Sequence, residues 1–202
     1  MIYFFWTSML VLVYTYFGYP VYVFLLAKLA GRDIHKDAGY KPFVSVVFSA
    51  HNEEGRAGKK ITNLLNSDYP ADKMEILAGS DGSTDGTNEE LGRVSDKRVR
   101  VFIFPSRRGK VSVLNDLVAK AGGEILVFCD ARQEFAPDAI SQLAANFKDE
   151  LVGCVSGDLV FRSSSAGTGM SQGVGFYWRY ERFLRRHESA AHSMAGAAGA
   201  IY

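Results

Sequence analysis

FVSVVFSAHNEE, residues 43–54, sets the architecture of the chain. A run rich in Val and Phe stops abruptly at His51, Asn52, Glu53 and Glu54. β-Branched and aromatic residues in a short apolar run read as a strand, here 43–50. The same unit recurs downstream. MEILA (74–78) leads to Asp81-Gly82-Ser83-Thr84-Asp85. VRVFIF (99–104) leads through Pro105 to Arg107-Arg108-Gly109-Lys110, and EILVFC (124–129) leads to Asp130-Ala131-Arg132-Gln133-Glu134.

Helical spacing fills the intervals. Residues 56–65 place Ile61, Leu64 and Leu65 on one side, and Ser83 or Asp85 caps a short helix to 94. Residues 110–121 carry Val113, Leu114, Leu117 and Val118, and Pro137 opens a helix to about 147. A fifth extended segment is expected over 152–161, a flexible Ser/Gly-rich loop over 163–175, and a last helix over 176–187. Strands alternating with helices predict an α/β fold with a mostly parallel, twisted sheet and helices on both faces. Such sheets bind ligands beyond the carboxyl ends of their strands. All four polar clusters would then meet at one edge.

The chain has 202 residues, 48% of them hydrophobic, and a net charge of +1. That excludes a disordered tail and a broadly cationic nucleic-acid binder. Cys129 and Cys154 lie in apolar runs and read as buried, reduced thiols rather than a disulfide.

No charged residue occurs before Lys28. This stretch is too long for the apolar region of a signal peptide and lacks a basic start. As a helix it reaches about 40 Å, against a hydrocarbon core of roughly 30 Å. Tyr3 and Trp6 suit one interface, and Lys28 snorkels at the other, followed by Arg32 and Lys36. A buried core helix is disfavoured because both faces are apolar. Gly18-Tyr19-Pro20 is expected to kink the helix without ending it. The expected organisation is a transmembrane anchor at 1–30, a linker at 31–42 and one domain from 43 to 202. The basic flank stays inside, which puts a single-pass chain's domain on the cytoplasmic side.

Mixed acids and bases at one edge suit a phosphorylated ligand held with a divalent cation: carboxylates for the metal, Lys and Arg for phosphate oxygens. The common alternatives are missing. The first loop is not G-x-G-x-x-G, and Gly109-Lys110 has Phe104 where a P-loop has its first glycine. The four histidines show no zinc spacing, and no G-x-S-x-G elbow occurs.

VSVVFSAHNEE (44–54), SDGSTDGT (80–87), RRGKVSVLN (107–115), FCDARQEF (128–135), YWRYERFLRRHES (177–189) and GAAGAIY (196–202), in this order, resemble membrane-anchored glycosyltransferases of family 2. The resemblance implies a GT-A fold, a nucleotide-diphosphate sugar donor (commonly a UDP-sugar), Mg2+ or Mn2+, a glycan or lipid acceptor at a bacterial inner membrane, and no nucleic acid. It implies that the loop Ala50–Asn52–Glu53 borders base and ribose, and that Asp81 faces the uracil. It also implies that Lys110 lies at the nucleotide pocket and that Asp130 handles ribose and metal. Residues 196–202 resemble the segment lining the donor and acceptor sugars.

Each assignment has a plainer reading. Asp81 and Asp85 would also stabilise a Gly-containing turn. Lys110 would be a solvated helix-start residue, and Asp130 a loop cap. Two departures stand out. Ser80 replaces a common acid before Asp81, and Arg132 replaces the second acid of D-x-D. Arg132 is then expected at the diphosphate, or the ion is held by Asp130 and the diphosphate alone. No Asp follows Asp158, and the family's general base is expected after Tyr202. The chain is thus expected to hold mainly the donor-binding half. The alternatives are a non-catalytic nucleotide-binding module, or another nucleotide-sugar enzyme such as a nucleotidyltransferase. The helix 176–187, with its aromatic and Arg residues, reads as packed on the sheet in preference to lying on an anionic membrane surface.

Overall fold

The computed structural model describes residues 1–158, 169–194, 196–197 and 201–202, with only the backbone of 169–175. It divides into two units, Met1–Ile34 with Val160–Gly196, and His35–Leu159 with Ala197–Tyr202.

The second unit is built on a parallel sheet of β1 (Val44–Ala50), β2 (Met74–Asp81), β3 (Val99–Phe104) and β4 (Ile125–Phe128), in the order β3-β2-β1-β4. β1 is central. It pairs with β2 from Val44↔Met74 to Ala50↔Ser80, and with β4 from Val44↔Ile125 to Val47↔Phe128. β3 pairs with β2 from Ile76↔Val99 to Asp81↔Phe104. Helices α3 (Ala57–Leu65), α4 (Thr87–Gly92), α5 (Lys110–Val118) and α6 (Ala139–Ala144) lie between or after the strands.

Both faces of β1 are buried, which is why it reads as an unbroken apolar run. Val44, Val46, Phe48 and Ala50 join a core with Ile61 and Leu64 of α3, Leu91 of α4 and Ile140 of α6. Val47 joins a second core with Leu77 and with Val113, Leu114 and Leu117 of α5. Gly79 admits α5 close to β2, since a Cβ there would stand 2.5 Å from Val113 Cγ1. Ahead of the sheet, the Tyr69 hydroxyl donates to the Pro42 carbonyl at 2.6 Å.

In the first unit, α1 (Ile2–Val13) and α2 (Tyr19–Ala30) form one continuous apolar helix through a π-helical turn at Tyr14–Gly18. Pro20 cannot donate to the helix ladder. The adjustment falls just before it: the Tyr19 N–H bonds to Tyr14 O, five residues back. The helix therefore does not end at Gly18-Tyr19-Pro20. Ile2–Ala30 is long and apolar enough to cross a membrane, and α1 buries no side chain. α7 (Gly169–Ala191) lies beside α2. The Phe24 and Phe183 rings stack at 6.4 Å, and the Tyr19 hydroxyl donates to Glu188 Oε1 at 2.6 Å.

Several expectations change. Residues 152–158 form no strand, and Gly157 makes a single N–H bond to Ile201 O at 3.1 Å. The rest of that expected strand, 159–161, lies outside the described residues, as does 163–168 of the expected loop. Residues 169–175 are helical, so α7 begins earlier than its aromatic run implies. Glycine lowers helix propensity by about 1 kcal/mol without forbidding it. The last helix also packs on α2 within its own unit. Cys129 is buried as expected, but Cys154 is exposed because its segment joins no strand.

Candidate functional site

All four strands run the same way, so the polar clusters that follow them share the carboxyl edge of the sheet. The chain leaves β1 toward β2 on one side, while β4 adds on the other. The switch point lies between β1 and β4, where open α/β sheets form a crevice.

The loops after β1 and β2 are laced together. Asn52, at φ 53°, accepts the Thr84 N–H on Oδ1 at 2.9 Å and donates its own N–H to Ser83 Oγ at 3.2 Å. The Glu53 N–H donates to Thr87 Oγ1 at 2.9 Å. Glu54 N–H donates to Asp85 Oδ2 at 3.1 Å, and Glu54 Oε2 accepts the Gly86 N–H at 3.2 Å. Gly86, not Ser83 or Asp85, is the N-cap residue of α4; Asp85, one position earlier, accepts the Thr87 N–H at 3.1 Å. His51 Nδ1 lies 2.7 Å from the Asp81 carbonyl. Gly82 is required by geometry: φ is +61°, and a Cβ would come 2.3 Å from Arg107 N.

Asp81 ends β2 and is only 3% exposed. Its Oδ1 accepts the Arg108 N–H at 2.6 Å and its Oδ2 the Gly109 N–H at 2.9 Å. The carboxylate thus fixes the start of α5, where Lys110 is the first residue. A negative charge there is also favoured by the helix dipole. Lys110 Nζ pairs with Asp130 Oδ1. Asp81, Lys110 and Asp130 therefore form one connected series across the edge. Arg108 turns to Asp116 at 2.6 Å.

Arg132, from the loop after β4, reaches the loop after β1 and donates through Nε to Glu53 Oε1 at 2.6 Å. Arg56 holds the other oxygen at 3.0 Å. Burial pushes the Glu53 carboxyl up, but the two guanidinium groups outweigh it and leave its pKa below the ordinary carboxylate value. A lowered folded pKa gives stability above the unfolded value, about 4.3, that is lost as pH falls through the lower folded value. Glu53→Gln is therefore expected to cost about 1 kcal/mol near neutral pH. The gap to wild type should close in acid. Urea unfolding of both proteins between pH 3 and 7 checks this, and a gap independent of pH would contradict it.

Most residues expected to touch a ligand thus also build the rim. Ala50 is buried at the strand end, Asn52 and Glu53 brace loops, and Asp81 holds backbone. Lys110, Asp130 and Arg132 are half-exposed or exposed at that rim. Sequence reasoning missed Thr87, whose hydroxyl is spent on Glu53, and Lys60 and Asn63 beneath the β4 loop. A lysine on the apolar face of α3 was a readable signal for the latter pair. The C-terminal segment joins the β4 edge. Phe128 and Tyr202 exchange backbone bonds of 2.7 and 3.1 Å, and their rings stack at 5.1 Å.

As to a divalent ion, no cluster of three His, Cys, Asp or Glu side chains exists among the described residues. Asp130 supplies one carboxylate, and Arg132 points to Glu53. This set fits an ion that shares its ligands with substrate phosphates, as Mg2+ commonly does with one or two protein carboxylates.

Residues 45–200 match the family model described as "Glycosyl transferase family 2". A beta-monoglucosyldiacylglycerol synthase from Nostoc sp. is 31% identical over 121 residues, which cover 58% of this chain and 26% of that protein. A poly-beta-1,6-N-acetyl-D-glucosamine synthase from Staphylococcus aureus is 27% identical over 153 residues, 71% of this chain and 37% of that protein. A mannosyltransferase from Pyrobaculum calidifontis, solved in complex with GDP-Man and Mn2+, superposes with a TM-score of 0.75 at 27% identity, covering 95% of this chain and 53% of that one. The chain thus spans well under half of these curated relatives. With the parallel sheet, its loop-lined edge and this match in place, the chain belongs to glycosyl transferase family 2 and has its GT-A fold.

Proposed function

We propose that the carboxyl edge of the sheet binds a nucleotide-diphosphate sugar, and that this chain carries the donor-binding part of a sugar transfer to a glycan or lipid at the cytoplasmic membrane face. The observation that carries this reading is the connected series Asp81–Arg108/Gly109–Lys110–Asp130, with Arg132 beside it on Glu53. In this reading the base lies along Ala50–Glu53 against Asp81, where a carboxylate oxygen accepts a uracil imide N–H. Both Asp81 oxygens already accept backbone N–H groups, so base contact uses their remaining lone pairs. The Pyrobaculum neighbour's GDP-Man keeps guanine as the alternative base.

Lys110 and Arg132 would turn from Asp130 and Glu53 onto the diphosphate oxygens. Asp130 would then hold Mg2+ or Mn2+ together with that diphosphate. Such an ion, when bound, would supply positive charge to the diphosphate leaving group. No general base is assigned to this chain. Its acids after Asp158 are Glu181, paired with Arg185, and Glu188, which accepts from Tyr19.

Calorimetric titration of UDP and GDP, with and without Mn2+, tests the proposal. One of the two should bind, and more tightly with Mn2+; no binding by either ends the reading. Lys110 competes for the single carboxylate, so Mn2+ alone should bind weakly. Lys110→Met should tighten binding of Mn2+ alone severalfold and weaken the nucleoside diphosphate. Electron paramagnetic resonance of free Mn2+ measures the first effect, and looser Mn2+ binding in the variant would refute the competition.

A further inference from the structure

The buried face of α3 is Ala57, Lys60, Ile61 and Leu64. Lys60 sits among these apolar residues at 2% exposure. Burying an ammonium without a strong partner is costly, and a hydrophobe of similar volume often serves a core equally well. Packing of α3 therefore does not account for a lysine here.

Its contacts lead to one place. Nζ donates to the Gln133 carbonyl at 2.9 Å and stands 3.4 Å from the centroid of the Phe135 ring. Among the described residues it has no carboxylate within ion-pair distance. Burial lowers its pKa, while the Cys129 thiol beside it and the charges of Asp130 and Glu134 act the other way. Cys129 is itself pushed up to about 11 by burial, so it is a neutral neighbour. One turn along, Asn63 brackets Phe135: Nδ2 donates to its carbonyl at 2.9 Å and Oδ1 accepts its N–H at 2.8 Å. The segment that carries Asp130 and Arg132 therefore hangs from two side chains of α3.

We propose that Lys60 is a positioning residue for the diphosphate part of the site, holding the 130–135 loop from beneath through Gln133 and Phe135 and placing a fixed positive charge behind it. This rests on the nucleotide-sugar reading above. A cation held in a dry site requires little reorganisation when an anion arrives, which makes it more effective than a mobile surface lysine. A desolvated amine over an aromatic face is also well retained.

The test uses the full chain in detergent, with UDP against UMP and GDP against GMP as probes. Lys60→Met keeps the length and removes the charge and the donor. It should unfold cooperatively at or above the wild-type temperature, since a buried charge has gone. Its diphosphate affinity should fall about tenfold, the scale of one charge-assisted contact, while the monophosphate affinity holds. A merely structural lysine would lower both alike. If Lys60→Met does not fold, Lys60→Gln, which removes the charge but keeps a donor for the Gln133 carbonyl, carries the test with the same selective loss expected. Equal losses for mono- and diphosphate, or an unchanged diphosphate affinity in a folded variant, overturn the proposal. Wild-type protein that binds none of the four nucleotides overturns the nucleotide-sugar reading itself, and the proposal with it.

Discussion

Asp81→Asn should weaken binding of the preferred nucleoside diphosphate by at least about tenfold and destabilise the sheet unit by about 2 kcal/mol. The side chain keeps its shape but has one acceptor oxygen where two are in use. Either the Arg108 or the Gly109 N–H then faces an amide NH2 instead of a carboxylate oxygen. Hydrogen bonds to a charged acceptor contribute about 1.5–3 kcal/mol, and partial exposure of the 107–110 loop offsets some of the loss. The loop that positions Lys110 is loosened, so binding falls even if Asp81 never meets the base. Urea unfolding and nucleotide titration of the same preparation separate the two effects. Wild-type values in both would show that the carboxylate fixes nothing.

Asp130→Asn has the opposite profile. The Lys110–Asp130 pair is half-exposed, and such pairs contribute at most about 1 kcal/mol, so folding should be nearly unaffected. Ligand binding should change sharply. Asp130 is the carboxylate proposed to share the ion with the diphosphate, so the tightening of UDP or GDP by Mn2+ should disappear, a loss of about tenfold or more. Binding without metal should stay close to wild type. A variant that still responds fully to Mn2+ would place the ion elsewhere.

The strands were legible because burial on both faces demands unbroken apolar runs, and β3 was read to the residue. The edge was legible because parallel strands leave every polar cluster at one end. The misses have local causes. Residues 152–158 have the apolar content of a strand but gain no ladder partner, a fact of tertiary pairing invisible to a single segment. α7 starts in a Gly-rich stretch that propensity assigns to a loop. In the site, residue identities pointed to a ligand, whereas the bonds of Asn52, Glu53 and Asp81 show them building the rim. Polar side chains that bind substrates and those that staple loops are the same residue types. Only distances separate the roles. Lys60 was the signal passed over, a charge inside an apolar helix face.

In the proposed function, four loops from four strands form one nucleotide site. Hydrogen–deuterium exchange of the full chain, with and without the nucleoside diphosphate and Mn2+, measures it directly. Slowed exchange is expected in residues 51–55, 81–87, 106–111 and 129–135 together. Slowing confined to one loop, or located away from the carboxyl edge of the sheet, would contradict it.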